Sequence, residues 1–114
     1  MATAYTEFTK EINRVIDKID SYNAYDLSTD LRGWLNKSQF LKLLKQHTKS
    51  KTNIIRNCAN ETITLLDKAL SAGCTSVHSS DSDLKQNKFD NQGMIVHLKD
   101  ALKSAEKLWQ NLEN

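Results

Sequence analysis

Gln46-His47-Thr48-Lys49-Ser50-Lys51-Thr52-Asn53 is an unbroken run of eight polar residues between two apolar-rich segments. Its reading decides the fold. If it turns, the chain doubles back and the segments on either side become neighbouring helices. If it stays helical, residues 37–72 form one long helix, because Leu41, Leu44, Thr48, Lys51, Ile55, Cys58, Thr62, Leu65 and Ala69 keep a single 3/4 register throughout. The turn is the expected reading. Several of the eight are weak helix formers, and a continuous helix would put Thr48 and Lys51 on its apolar seam. Short connections also give the antiparallel neighbours that small bundles favour.

Working upstream, Leu27, Leu31, Trp34, Leu35, Phe40, Leu41, Leu43 and Leu44 make a second helical segment, starting around Ser28-Thr29-Asp30. Gly33 costs about 1 kcal/mol relative to alanine inside a helix. With Asn36 and Ser38 close by, a kink or break is expected between Leu35 and Ser38. Further upstream, Tyr5, Phe8, Ile12, Val15, Ile19 and Tyr22 recur at spacings of 3, 4, 3, 4, 3, with Ile16 widening the stripe. That is one apolar face of a helix. Thr3 or Thr6 is the expected cap, Glu7 favours the early dipole, and the helix should end near Tyr22-Asn23 before an acidic turn at Asp26.

Downstream, Ile54, Ile55, Cys58, Ala59, Ile63, Leu65, Leu66, Ala69 and Leu70 define a third helix ending at Ala72, with Gly73 as its left-handed stop. Thr75 to Asp83 reads as a loop. The last helix is expected from Asn91, or from Leu84, with Met94, Ile95, Leu98, Ala101, Leu102, Ala105, Leu108, Trp109 and Leu112 as its stripe. Strand signals are missing. The pattern therefore predicts an all-α chain, an antiparallel up-and-down four-helix bundle over residues 1–114 as one domain. The alternative is three long helices with 37–72 continuous. A two- or three-helix protomer that completes its bundle as a homodimer fits the same stripes.

Charge is distributed less evenly than apolarity. Between Leu31 and Asn60 lie Arg32, Lys37, Lys42, Lys45, Lys49, Lys51 and Arg56, and no Asp or Glu. Residues 1–30 hold six acids against three bases, and residues 61–114 hold eight against six. A chain of net charge +2 thus conceals a central stretch of +7. On a helix Lys42, Lys45 and Lys49 share one face, turned from Phe40, Leu43 and Leu44. Such a cluster raises the local potential enough to attract phosphates or an acidic protein. The competing account is a solvated lysine face that needs no ligand.

Lysine predominates over arginine, and only Trp34 and Phe40 lie near as base-stacking groups. No helix-turn-helix, zinc-finger or other nucleic-acid pattern is present. Trp34 and Trp109 are expected to be core or half-buried, and Trp34, beside the cations, is the aromatic best placed to anchor a protein interface. The residues expected to bind a partner are therefore Trp34, Lys37, Lys42, Lys45, Lys49, Lys51 and Arg56.

Sites of other kinds find little support. No acid sits three residues before His47, His78 or His97, as a di-iron bundle requires. Cys74 and His78 have ligand-like spacing but lack two further ligands. Asp81, Asp83 and Asp90 miss the glycine and terminal glutamate of a calcium loop. His97 is not followed by lysine and glycine in the manner of a phosphotransfer histidine. No phosphate loop or nucleophile elbow is visible. No catalytic residue, metal or cofactor is expected. The Ser/Asp loop at 75–83 could accept phosphate or order on a partner, though such loops are more often connectors.

Cys58 and Cys74 lie 16 residues apart, and with residues 58–72 helical they would stand roughly 24 Å apart, too far for a disulfide. Two thiols fit a reducing, cytoplasmic setting. No apolar run approaches a membrane span, and no secretory signal is visible at the N-terminus. Length and helix pattern resemble those of bacteriocin immunity proteins and other small helical inhibitors, a likeness of fold class with no residue motif behind it. The function expected is a non-enzymatic interaction module, an adaptor, inhibitor or immunity-like protein, that binds an acidic macromolecule through the basic surface 32–56. A nucleic-acid-binding accessory protein using the same lysines is the runner-up. A metal- or cofactor-dependent enzyme trails both.

Overall fold

The computed structural model describes residues 2–19, 24–74 and 91–113. They form five α-helices and no strand: α1 (Ala2–Lys18), α2 (Ala24–Lys37), α3 (Gln39–His47), α4 (Asn53–Cys74) and α5 (Asn91–Glu113). The described residues are all-helical as expected, but with five helices where four were anticipated. The extra one comes from the second segment, which divides cleanly at Ser38.

Both breaks have local causes. At Ser38 the backbone is extended and the side-chain oxygen accepts from the Phe40 N–H at 3.2 Å, giving α3 its own N-cap. After α3 the chain turns through residues 48–52. Thr48 donates its hydroxyl to the Lys45 carbonyl at 2.6 Å, and the Ser50 N–H donates to His47 O at 3.0 Å. The Thr52 N–H donates to Ser50 Oγ at 3.1 Å just before α4. Polar residues here close the turn instead of sitting on a seam, and the continuous 37–72 helix is excluded.

Several boundaries move. Thr3 and Thr6 lie inside α1, which starts at Ala2, so neither residue caps it, and Glu7 falls beyond the first turn. That helix ends at Lys18, while the expected end at Tyr22-Asn23 lies outside the described residues. The second helix begins at Ala24, ahead of the expected Ser28-Thr29-Asp30. Asp26 is then no turn residue but an acid in the first turn of α2, where the helix dipole favours it. Gly73 does not stop α4, which continues to Cys74. The loop 75–83 and the alternative start at Leu84 lie outside the described residues.

The apolar stripes bury as read. Phe8, Ile12 and Val15 from α1 and Ile19 just past its end join Leu27, Leu31 and Leu35 from α2, Phe40, Leu43 and Leu44 from α3, Leu66, Ala69 and Leu70 from α4, and Met94, Leu98, Ala101, Ala105 and Leu108 from α5 in one core. Ile54 departs from its stripe and is exposed. The most extensive packing is between α4 and α5; α2 and α3 lie against α4, and α1 against α5 and α3. Burying this much apolar surface, at about 25 cal/mol per Å², is the main force holding the helices together.

Buried hydroxyls set the register. Ser28 Oγ donates to the Leu70 carbonyl at 3.3 Å and lies 3.6 Å from Met94 Sδ, tying α2 to α4 beside α5. Further along, the Thr62 hydroxyl donates to Cys58 O at 2.7 Å and lies 2.9 Å from Ser104 Oγ. Residue 70 thus sits near 94 and residue 58 near 104, so α4 and α5 run antiparallel. Each hydroxyl would cost about 1–3 kcal/mol if buried unpaired, which penalises any slip of one helix along the other. Cys58 is a free, buried thiol, and desolvation pushes its pKa up.

Gly33 lies on the exposed side of α2, and a Cβ added there would meet nothing within 4 Å. Gly33→Ala is therefore expected to stabilise the fold by about 0.5–1 kcal/mol, read as a higher urea midpoint at unchanged m-value. A fall in the midpoint would show that the glycine is needed for the backbone path between α2 and α3.

Candidate partner-binding surface

Six of the seven central bases are exposed. Arg32 lies mid-α2 and Lys37 in its last turn; Lys42 and Lys45 project from the outer side of α3; Lys49 and Lys51 stand on the following turn. Their exposure follows from helix period. Phe40, Leu43 and Leu44 face inward, so positions 42 and 45 must face out. Lys37 and Lys45 each also lie in the last turn of a helix, where a cation complements the dipole.

Arg56 has a different environment. It is half-buried, and its guanidinium donates to the Ser50 carbonyl at 3.1 Å and to Asn53 Oδ1. The side chain thereby clasps the α3–α4 turn to the start of α4. Its charge adds to the surface, but its hydrogen-bonding capacity is partly used by the fold.

Arg14 and Glu11 on α1 form an ion pair at 2.6 Å. None of the seven central bases has a carboxylate within ion-pair distance among the described residues. The absence of Asp and Glu from 31–60 already removes the i,i+3 and i,i+4 partners that would neutralise most of these cations locally.

Arg32 and Lys45, from different helices, line one groove of about 250 Å³ between α2, α3 and α4. Its apolar lining is Leu35, Leu41, Ile63, Leu66 and Leu70; Asn36 and Asp67 complete the rim. Leu35, Leu66 and Leu70 are buried, Leu41 and Ile63 half-buried, and the rim residues exposed. Trp34 is not in this lining. It is half-buried against the core, and two residues from Arg32 means roughly 200° of rotation about α2, nearly the opposite side. The half-buried apolar wall of this groove is formed by Leu41 and Ile63. Both sit one position beside a fully buried residue, Phe40 and Thr62, and a flank position of that kind was the sequence signal for them.

A second depression of about 310 Å³ lies between α4 and α5, lined by Glu61, Leu65, Asp100, Lys103, Ser104 and Lys107. Two acids face two bases there, so it presents no dominant sign. His47 and His97 are half-buried. Among the described residues no three His, Cys, Asp or Glu side chains form a metal-holding group, and His78, paired by spacing with Cys74, lies outside them. No described helix is long and apolar enough to cross a membrane. Comparison with known protein families, curated proteins and solved structures yields no match to this chain.

Proposed function

We propose that this chain is a non-enzymatic helical interaction module, one domain in a reducing, cytoplasmic setting, that binds an acidic macromolecular partner through the surface from Arg32 to Arg56. The observation that carries the reading is the set of exposed cations at 32, 37, 42, 45, 49 and 51, none ion-paired among the described residues. Long-range attraction to that surface speeds encounter and sets orientation, while apolar contact holds the complex once formed. The protein acts by occluding or scaffolding its partner.

Affinity capture with the full chain as bait, with and without nuclease and at two salt concentrations, tests this. A stoichiometric, nuclease-resistant protein partner is expected, with Lys→Glu reversal at the central surface abolishing its capture. Recovery of nucleic acid alone, with binding that falls by about 0.9 log units per log unit of salt for each phosphate contacted, would overturn it in favour of a phosphate-binding role.

A further inference from the structure

We infer that the groove between α2, α3 and α4 is the seat of the partner's anchor, and that the anchor is an acidic amphipathic helix presenting one or two aliphatic side chains between carboxylates. The inference rests on the proposed interaction role and gives it a place and a chemistry. Three observations select this occupant.

The first is size. About 250 Å³ falls below the roughly 300–1,000 Å³ of pockets that enclose a small-molecule ligand. It suits side chains entering from a larger body that stays outside. The second is the lining. Half-buried Leu41 and Ile63 wall an apolar floor that rewards an aliphatic group by dispersion and desolvation, and the hydrogen-bonding side chains of the groove stand at its rim. The third is the rim. Arg32 and Lys45 stand exposed at the groove without an ion pair among the described residues, and Lys42 and Lys49 extend the positive field beyond them.

A carboxylate flanking the buried side chain would meet Arg32 or Lys45. Asp67, on the α4 rim, repels a second carboxylate at that side and so fixes which way the anchor lies. Apolar residues at i and i+4 with acids beside them are the surface of an amphipathic helix laid into a groove. Nucleic acid fits the lysines but has no use for the aliphatic floor.

The test is selection of displayed helical peptides of about 15 residues against the full chain, with affinities then measured on Lys45→Glu and Leu41→Arg variants. The expected winners carry an aliphatic i,i+4 pair flanked by Asp or Glu, and lose about tenfold or more in affinity to each variant. If Leu41→Arg lowers the helical circular dichroism of the free protein, Ile63→Gln replaces it.

Acidic winners without an aliphatic pair, indifferent to the wall substitutions, would sink the groove assignment and leave the charge-based reading standing. Winners with no acidic bias would sink both. A dimer in sedimentation that Leu41→Arg dissociates would instead assign the groove to a second copy of this chain and overturn the proposal.

Discussion

Replacing Lys42, Lys45 and Lys49 together by glutamate is expected to weaken partner association by about two to three orders of magnitude at low salt, with the fold intact. All three side chains are exposed and make no ion pair among the described residues, so reversal breaks no ion pair there and forfeits only the modest dipole complement of Lys45 at the end of α3. The effect should sit mainly in the association rate, because charges at an interface rim steer encounter more than they hold the complex. Raising the salt should shrink the difference between wild type and variant, since exposed charges are screened over a Debye length of about 8 Å at physiological ionic strength. Reversal of Lys99, Lys103 and Lys107 on α5, also exposed but with Asp100 and Glu106 in the same stretch, changes the net charge equally, is the matched control and should change association little. Stopped-flow association of the captured partner, with thermal melts of each variant, makes the comparison. Equal loss in the central and α5 variants would mean that overall charge governs binding and no particular surface does.

The second large effect is on stability. Phe40→Ala is expected to cost about 3–5 kcal/mol, a substantial part of the roughly 5–15 kcal/mol available to a domain. Phe40 has no exposed surface, and its ring centre lies 4.5 Å from that of Phe8 and 5.7 Å from that of Tyr5. Tyr5 in turn stacks on Trp109 at 5.2 Å with the planes 1° apart. Truncation thus opens a cavity where α1, α3 and α5 meet, and the surrounding rings cannot all collapse into it. Because α1 is held chiefly through this cluster and its stripe against α5, its amides should lose hydrogen-exchange protection first. A melting temperature lower by about 10 °C or more is expected, and a shift of only a degree or two would contradict this account of the core.

How much of this was written in local sequence can be judged from particular residues. The period of Phe8-Ile12-Val15 named the buried face of α1 before any neighbour was known, because helical period is a property of the backbone alone. The turn at 48–52 was legible too, since placing Thr48 and Lys51 on an apolar seam carries a desolvation cost whatever the partner helix. The break before α3 was visible in Asn36 and Ser38, but its consequence, a separately capped fifth helix, depended on Ser38 reaching the Phe40 N–H. The start of α2 was misplaced because Ser28 reads as a cap from its type alone, whereas its hydroxyl is buried against Leu70.

By itself, the sequence determined that the chain is helical, which faces bury, and that the cations of 31–60 have few carboxylates within one helical turn. These follow from spacing and composition over a few residues. Only the tertiary structure decided which cations act together. Arg32, Lys45, Ile63 and Asp67, from three helices, line one groove, Arg56 is drawn into a clasp on Ser50 and Asn53, and Trp34 is absent from the groove lining. The reason is physical: helix periodicity assigns each side chain a direction about its own axis, but which axes lie side by side is settled by packing between residues far apart in the chain.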